Sequence, residues 1–269
     1  MQNILNYGGG RQTVAMCILV KRGILPKPQR IIIADTGREN QSTWDYLEEI
    51  TRPLLESVGL SVEIAPRSLA YVDVYGLNGQ LLIPAFTQDG KLSAFCSDEW
   101  KGQVVKRYLK LSTLGHTPAE IATMPEPKIR EEMKKRIDET FLNWIGFAFD
   151  ESKRIKNRNN RKFWLCELML TKADCVNIIT KEGLPLPPPS SCWMCPNKRN
   201  WQWKFIKENY PGDFNQACQL DEEIRAWDIE TGNSGVWLHE DRVPLREANL
   251  DADDSDTPIR QCSLGVCFI

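Results

Sequence analysis

Three consecutive glycines, Gly8, Gly9 and Gly10, stand between a short apolar strand that starts near Asn3 and a helix whose first turn holds Thr13 and Val14. Glycines in a row let backbone N–H groups converge with no side chain in the way. A helix starting directly afterwards adds unpaired N–H donors and the positive end of its dipole, so an anion is the natural ligand. Arg11 can add a bidentate charge and Thr13 a hydroxyl. A tight strand-to-helix turn without a ligand is the plainer alternative, and glycines alone do not choose between the two.

The following segments narrow the fold. Val14, Ala15, Ile18 and Leu19 fall at helical spacing and Gly23 closes the run. Ile31-Ile32-Ile33-Ala34 is compact and apolar, as in a buried parallel strand, and it ends at Asp35-Thr36-Gly37. Ser42 reads as the N-cap of the next helix, with Pro53 as a kink, and Ser61–Ala65 reads as a third strand. Strand and helix in alternation predict an α/β fold, a Rossmann-like parallel sheet flanked by helices. Ligands of such sheets gather at the carboxyl ends of strands, where the strand order reverses.

The chain has 269 residues, 42% hydrophobic and 26% charged, which suits a globular protein with a sizeable core. A net charge of −2 argues against nucleic-acid binding through bulk charge. No apolar run approaches membrane-spanning length, Phe141–Phe149 being the nearest, and the first residues carry no secretory pattern. The expectation is a cytoplasmic protein without membrane contact. In a reducing compartment the nine cysteines are better read as buried small hydrophobes or metal ligands than as disulfides. Cys17, Cys166, Cys175 and Cys218, each alone among apolar or helical residues, fit the first description.

The second half divides at a proline-rich connector, Leu184–Pro189. Residues 1–185 form the expected α/β unit, and 186–269 a helical region containing cysteines. Ser97–Leu111 reads as a helix carrying Lys101, Ile129–Glu139 as a charged surface stretch, and Phe141–Phe149 as a central strand. Six of the ten residues Lys153–Lys162 are basic, a solvated loop or a holder of phosphates. Thr171 and Asp174 form a capping box for a helix running to Lys181. Cys192-Trp193-Met194-Cys195-Pro196 pairs with Cys262 and Cys267 to give four thiolates, enough for zinc or a four-iron cluster. Cys96 can replace one of the tail ligands or act as a redox thiol, with Lys101 nearby to stabilise its thiolate. Trp193, Trp201 and Trp203 read as packing walls rather than base-stacking platforms.

The order of the glycine loop, Asp35-Thr36-Gly37 and Glu151-Ser152-Lys153-Arg154 resembles the phosphoadenosine phosphosulfate reductase-like branch of the adenine-nucleotide α-hydrolase (ATP pyrophosphatase) superfamily. The resemblance spans about Ile4 to Pro196. That family's phosphate loop reads Ser-Gly-Gly-Lys-Asp-Ser, and Gly8, Gly9, Gly10, Arg11, Gln12 and Thr13 stand in its place. The resemblance implies an adenine nucleotide, ATP or similar to phosphoadenosine phosphosulfate, held by this loop. Asp35, Thr36 and Gly37 would lie near the adenosine, Lys101 and Arg154 would close on the anionic end, and Ser152 and Arg154 would be among the nucleotide-binding residues. Arg11, Lys101 and Arg154 would be the catalytic cations. Gln12 replaces a loop carboxylate suited to magnesium–pyrophosphate, as in sulfonucleotide reductases, which favours cradling phosphate or sulfate over cleaving ATP. The reductases' Glu-Cys-Gly-(Ile/Leu)-His tail is missing, since the only histidines are His116 and His239. An oxidoreductase or transferase is therefore expected alongside two alternatives. One is a nucleotide-binding regulatory module acting with a protein partner; the other is a component of a nucleic-acid modification system.

Overall fold

The computed structural model describes residues 1–155, 160–230, 232 and 235–252. Strand β1 (Gln2–Asn6) leads through the glycine loop into α1 (Arg11–Lys21). Then come β2 (Arg30–Ala34), α2 (Gln41–Tyr46), a π-helical turn over Leu47–Thr51, α3 (Arg52–Glu56) and β3 (Val62–Ala65). A small hairpin, β4 (Phe86–Thr87) and β5 (Gly90–Lys91), precedes a second π-helical turn, Asp98–Gly102, which runs into α4 (Gln103–Thr113). Next are α5 (Pro118–Thr123), α6 (Glu126–Lys134), β6 (Phe141–Trp144), a 3₁₀ stretch over Phe149–Arg154 and β7 (Arg161–Lys162). The helices α7 (Trp164–Glu167), α8 (Lys172–Lys181), α9 (Asn200–Asn209) and α10 (Pro211–Glu230) follow, and a 3₁₀ turn over Leu245–Glu247 comes after α10.

Five strands form one sheet in the order β3-β2-β1-β6-β7, and every pairing is parallel. This is the expected α/β architecture, a parallel sheet flanked by helices and compatible with a Rossmann-like fold. Leu5 faces Ile31 on one side and Trp144 on the other. The strand order reverses between β1 and β6, so the crevice beyond their carboxyl ends is the place such sheets reserve for a ligand.

Alternate residues of the strands feed two cores. Leu5, Ile31, Ile33 and Trp144 pack with α1, α3 and α8, whereas Ile4, Ile32 and Ala34 pack with α4, α5 and α6. Helix α1 lies between the sheet and α8, and every residue from Thr13 to Val20 is buried. A third core joins Trp193, Trp203, Phe214 and Leu238 to Val74, Ile83 and Trp100, so the segment before α4 packs with the helical region after residue 186. Cys17, Cys175 and Cys218 are buried as expected; Cys166 is half-buried and directs its thiol to the carbonyls of Phe147 and Ala148.

Several local expectations need correcting. Helix α2 starts at Gln41, not after Ser42, because its first N–H is capped from a distance by Asp213 Oδ2 at 2.8 Å. Pro53 sits in the first turn of α3, and the π-helical turn before it absorbs the expected kink. The strand predicted over 141–149 stops at Trp144, where the chain turns toward α1. A Cβ on Gly146 would stand 2.8 Å from Thr13 Cγ2. The stretch after Ile129 is not wholly surface-facing: Ile129 and Glu132 are buried, and Glu132 pairs with His116 and Lys135. The capping box of Thr171 and Asp174 is present as predicted.

Candidate functional site

The glycine loop turns at the carboxyl end of β1 and is held close from above. Gly9 has φ +69°, and a Cβ there would meet Thr43 Cγ2 at 2.4 Å. A Cβ on Gly10 would meet Ser190 Oγ at 2.9 Å. Gly8 and Gly9 are buried, and Thr13 turns its hydroxyl inward onto the Gly10 carbonyl at 3.0 Å. What stays open is the start of α1. Gly10, Arg11 and Gln12 line a cavity of about 330 Å³, and no acidic side chain occupies the first turn of that helix.

The far wall of the cavity comes from distant sequence. Segment 191–193 runs antiparallel to the chain just beyond β2, with a bridge between Glu39 and Cys192. It is anchored by Asn40 N–H to the Ser191 carbonyl at 3.2 Å and Trp193 N–H to the Arg38 carbonyl at 2.7 Å. This pairing brings Cys192 and Cys195 into the lining together with Cys96, just before the second π-helical turn, and Lys101 within it.

Charge in this wall is arranged in pairs. Lys101 Nζ lies 3.0 Å from Glu39 Oε2 with both side chains nearly out of water. Burial pulls the Lys101 ammonium down, but Glu39 and the sulfurs of Cys192 and Cys195 more than reverse that, leaving it above the usual lysine range. Gln12 Nε2 donates to Glu151 Oε2 at 3.0 Å, and Lys172 Nζ sits 3.3 Å from Glu151 Oε1. Lys198 donates to Ser191 Oγ at 2.8 Å and to the Cys192 carbonyl. Burial pulls Lys198 below the usual lysine range, against the nearby thiols and Glu39. Among the described residues, Arg11, Lys101, Lys172, Lys198 and Arg199 make five basic side chains in the lining, against Glu151 as its one carboxylate. The cavity favours an anionic occupant.

Desolvation disfavours the thiolate at two of these cysteines, Cys192 and Cys96. Burial pushes Cys192 up to about 11, Glu39 adding to the effect and Lys101 opposing it. Burial, then Cys192 and Cys195, push Cys96 higher still. Lys101 favours the Cys96 thiolate, as expected, but burial and the neighbouring cysteines outweigh it. Among the described residues no three side chains are grouped closely enough to hold a metal ion. Sulfur donors on a Cys-x2-Cys turn nonetheless have the softness that zinc or iron–sulfur ligation asks for. Cys262 and Cys267, the other two expected ligands, lie outside the described residues.

Of the other residues marked in the sequence, Gly10, Arg11, Gln12 and Lys101 come together at the cavity with Cys192 and Cys195. Gly8, Gly9 and Thr13 support the loop from beneath. Asp35, Thr36, Gly37 and Ser152 are not in the lining. Asp35 accepts the Gly37 N–H at 2.7 Å; Thr36 is wholly buried, accepts the Arg38 N–H at 3.1 Å and touches Cys192 Sγ at 3.8 Å. The Arg154 side chain and residues 156–159 of the basic loop fall outside what is described. Sequence reasoning missed Glu39, Lys172, Ser190 and Lys198. Only Lys198 carried a local signal, as part of the polar turn Asn197-Lys198-Arg199 directly after Cys195-Pro196. Trp193 and Trp203 are buried walls as expected, but Trp201 is 48% exposed and lines the cavity. No helix among the described residues is long and apolar enough to cross a membrane.

No protein-family model, curated protein or solved structure matches the chain.

Proposed function

We propose that the chain is an adenine-nucleotide-binding enzyme that performs sulfur-related or nucleotidyl-activation chemistry, as its resemblance to the phosphoadenosine phosphosulfate reductase-like family implies. One observation carries this reading. At the reversal of strand order, the open first turn of α1 shares a single cavity with three cysteines and five basic side chains. The anionic end of the nucleotide lies against Gly10, Arg11 and Gln12, where backbone N–H groups and the Arg11 guanidinium stabilise developing charge. Lys101, fixed by Glu39, adds its field from the opposite wall. The Cys-x2-Cys turn, with Cys262 and Cys267 or Cys96, would hold zinc or a four-iron cluster, which when bound keeps its cysteines as thiolates near the reacting group. Glu151 is committed to Gln12 and Lys172, so the loop is better equipped to cradle phosphate or sulfate than to position magnesium–pyrophosphate.

That commitment of Glu151 also favours a second reading, a nucleotide-binding module that regulates a partner protein without turnover. Both are tested with anaerobically purified protein, its metal content and absorption spectrum recorded first. Binding of ATP and of adenosine 3′,5′-bisphosphate is measured by calorimetry. Turnover is followed as AMP plus pyrophosphate from ATP, or as sulfite from phosphoadenosine phosphosulfate with a thiol reductant. Binding with turnover supports the enzyme, binding without turnover supports the module, and no binding of either nucleotide overturns both.

A further inference from the structure

We propose that Trp201 is the platform on which the planar base of the bound nucleotide stacks. The inference rests on the nucleotide reading above and adds to it where the base sits. Helix α9 turns Trp203 and Ile206 into the core, 0% and 2% exposed, while Trp201 is left 48% exposed in the cavity lining. Among the described residues its indole makes no ring-stacking or cation–π contact. A half-exposed indole that stacks on no other ring offers a flat apolar surface to a ligand. Pro188 and Pro189 of the connector line the same cavity and extend its apolar part.

The edge of such a ring also finds a donor. Gln202, next in sequence and likewise in the lining, accepts the Arg199 N–H on its Oε1 at 2.9 Å. That contact fixes the amide and leaves its NH₂ group for a ring nitrogen. Ser97 supplies an independent sign of a missing polar partner. It lines the cavity, is 4% exposed, and its hydroxyl has no hydrogen-bond partner among the described residues.

The segment beside which the resemblance would put the base is not part of the cavity lining. Asp35 and Thr36, beside which the family resemblance would put adenosine, spend their side chains on Gly37, Arg38 and Cys192. The cavity volume suits a small-molecule ligand. About 330 Å³ is near the lower end of the roughly 300–1,000 Å³ typical of small-molecule sites. The anionic group then lies at Gly10–Gln12 and the base at Trp201.

The test compares the wild type with Trp201→Ala and Trp201→Phe. The probes are inorganic tripolyphosphate and the tighter-binding of ATP and adenosine 3′,5′-bisphosphate. Trp201→Ala should weaken the nucleotide by roughly 10- to 100-fold, the span that base–aromatic stacking commonly carries. Trp201→Phe should stay within a few-fold, and tripolyphosphate should bind all three proteins alike. Nucleotide should quench wild-type tryptophan fluorescence, and that quench should be reduced in Trp201→Phe, the remainder coming from Trp100 in the same lining. Both variants should keep the wild-type urea midpoint, because Trp201 is outside the core. If wild type binds nucleotide and Trp201→Ala binds it equally well, the base lies elsewhere and the inference is overturned while the nucleotide reading stands. If wild type binds neither nucleotide, the functional reading fails first and this inference with it.

Discussion

Lys101 Nζ stands 3.0 Å from Glu39 Oε2, and the two side chains keep 10% and 2% of their surfaces in water. The other carboxylate oxygen, Oε1, is buried with no partner among the described residues. Removing one member of such a pair leaves an uncompensated buried charge, which typically costs about 3–5 kcal/mol. Glu39→Gln should lower the unfolding free energy by that order in urea melts, and Glu39→Leu combined with Lys101→Met should recover most of it. The pH dependence has a defined sign. A lysine held above its ordinary range contributes fully below its unfolded value of about 10.4. That contribution is lost as pH climbs through the folded value. Wild type should therefore show a component of alkaline destabilisation above about pH 10.4 that the apolar double variant lacks.

Gly9 carries two separable constraints, a φ of +69° and a neighbouring methyl, Thr43 Cγ2, 2.4 Å from where a Cβ would be. Gly9→Ala should destabilise the fold by about 2–4 kcal/mol, combining left-handed strain with overpacking. Thr43→Ser in that background deletes the methyl and should leave only the conformational share, about 1–2 kcal/mol. Equal urea midpoints for the single and double variants would show that the methyl does not limit the loop.

The thiol of Cys192, pushed up to about 11 mainly by burial, should be slow to alkylate in metal-free protein. At pH 8, three units below that value, roughly one thiol in a thousand is ionised. Iodoacetamide labelling of Cys192, followed by peptide mass spectrometry, should accelerate about tenfold per pH unit between pH 8 and 10. A rate independent of pH over that span would contradict the desolvated setting.

Asp221 on α10 is wholly buried and accepts the N–H groups of Leu238 at 2.8 Å and Leu245 at 3.1 Å, with Arg225 at 2.7 Å. One carboxylate thus fastens the chain around 236–245 to the last helix. Asp221→Ala should cost about 3–5 kcal/mol. Amide exchange should quicken across Val236–Leu250 more than in the parallel sheet. Uniform acceleration through both would mean that the carboxylate supports the whole fold rather than this segment.

Legibility in the sequence followed the range of the interactions involved. Strands β1 and β2 announced themselves as short apolar runs, and the capping box of Thr171 and Asp174 is complete within four residues. The glycine triplet likewise marked its own turn. The far wall of the cavity had no such signature. Nothing near Glu39 indicates that it meets Lys101 and Cys192, and nothing near Ser190 indicates that it covers Gly10. Ser42 looked like a cap because its true competitor, Asp213, is remote in sequence. Asp35-Thr36-Gly37 was readable as a strand end, but its hydroxyl and carboxylate turn out to serve the local turn and the cysteine segment. Trp201 differs from Trp203 only by the face of α9 on which it falls, and that face is set by packing with α10.

The parallel pairing of Leu5 with both Ile31 and Trp144 has a consequence for biosynthesis. As the polypeptide leaves the ribosome, β1 finds its β2 neighbour early, but its opposite edge stays bare until β6 has emerged. Translation at roughly 5–20 residues per second makes that an interval of several seconds or more. During it, an unpaired hydrophobic edge is a template for the wrong strand. The wall bearing Cys192 and Trp201 emerges later still, so a nascent chain displays its glycine turn well before it owns the chamber that faces it.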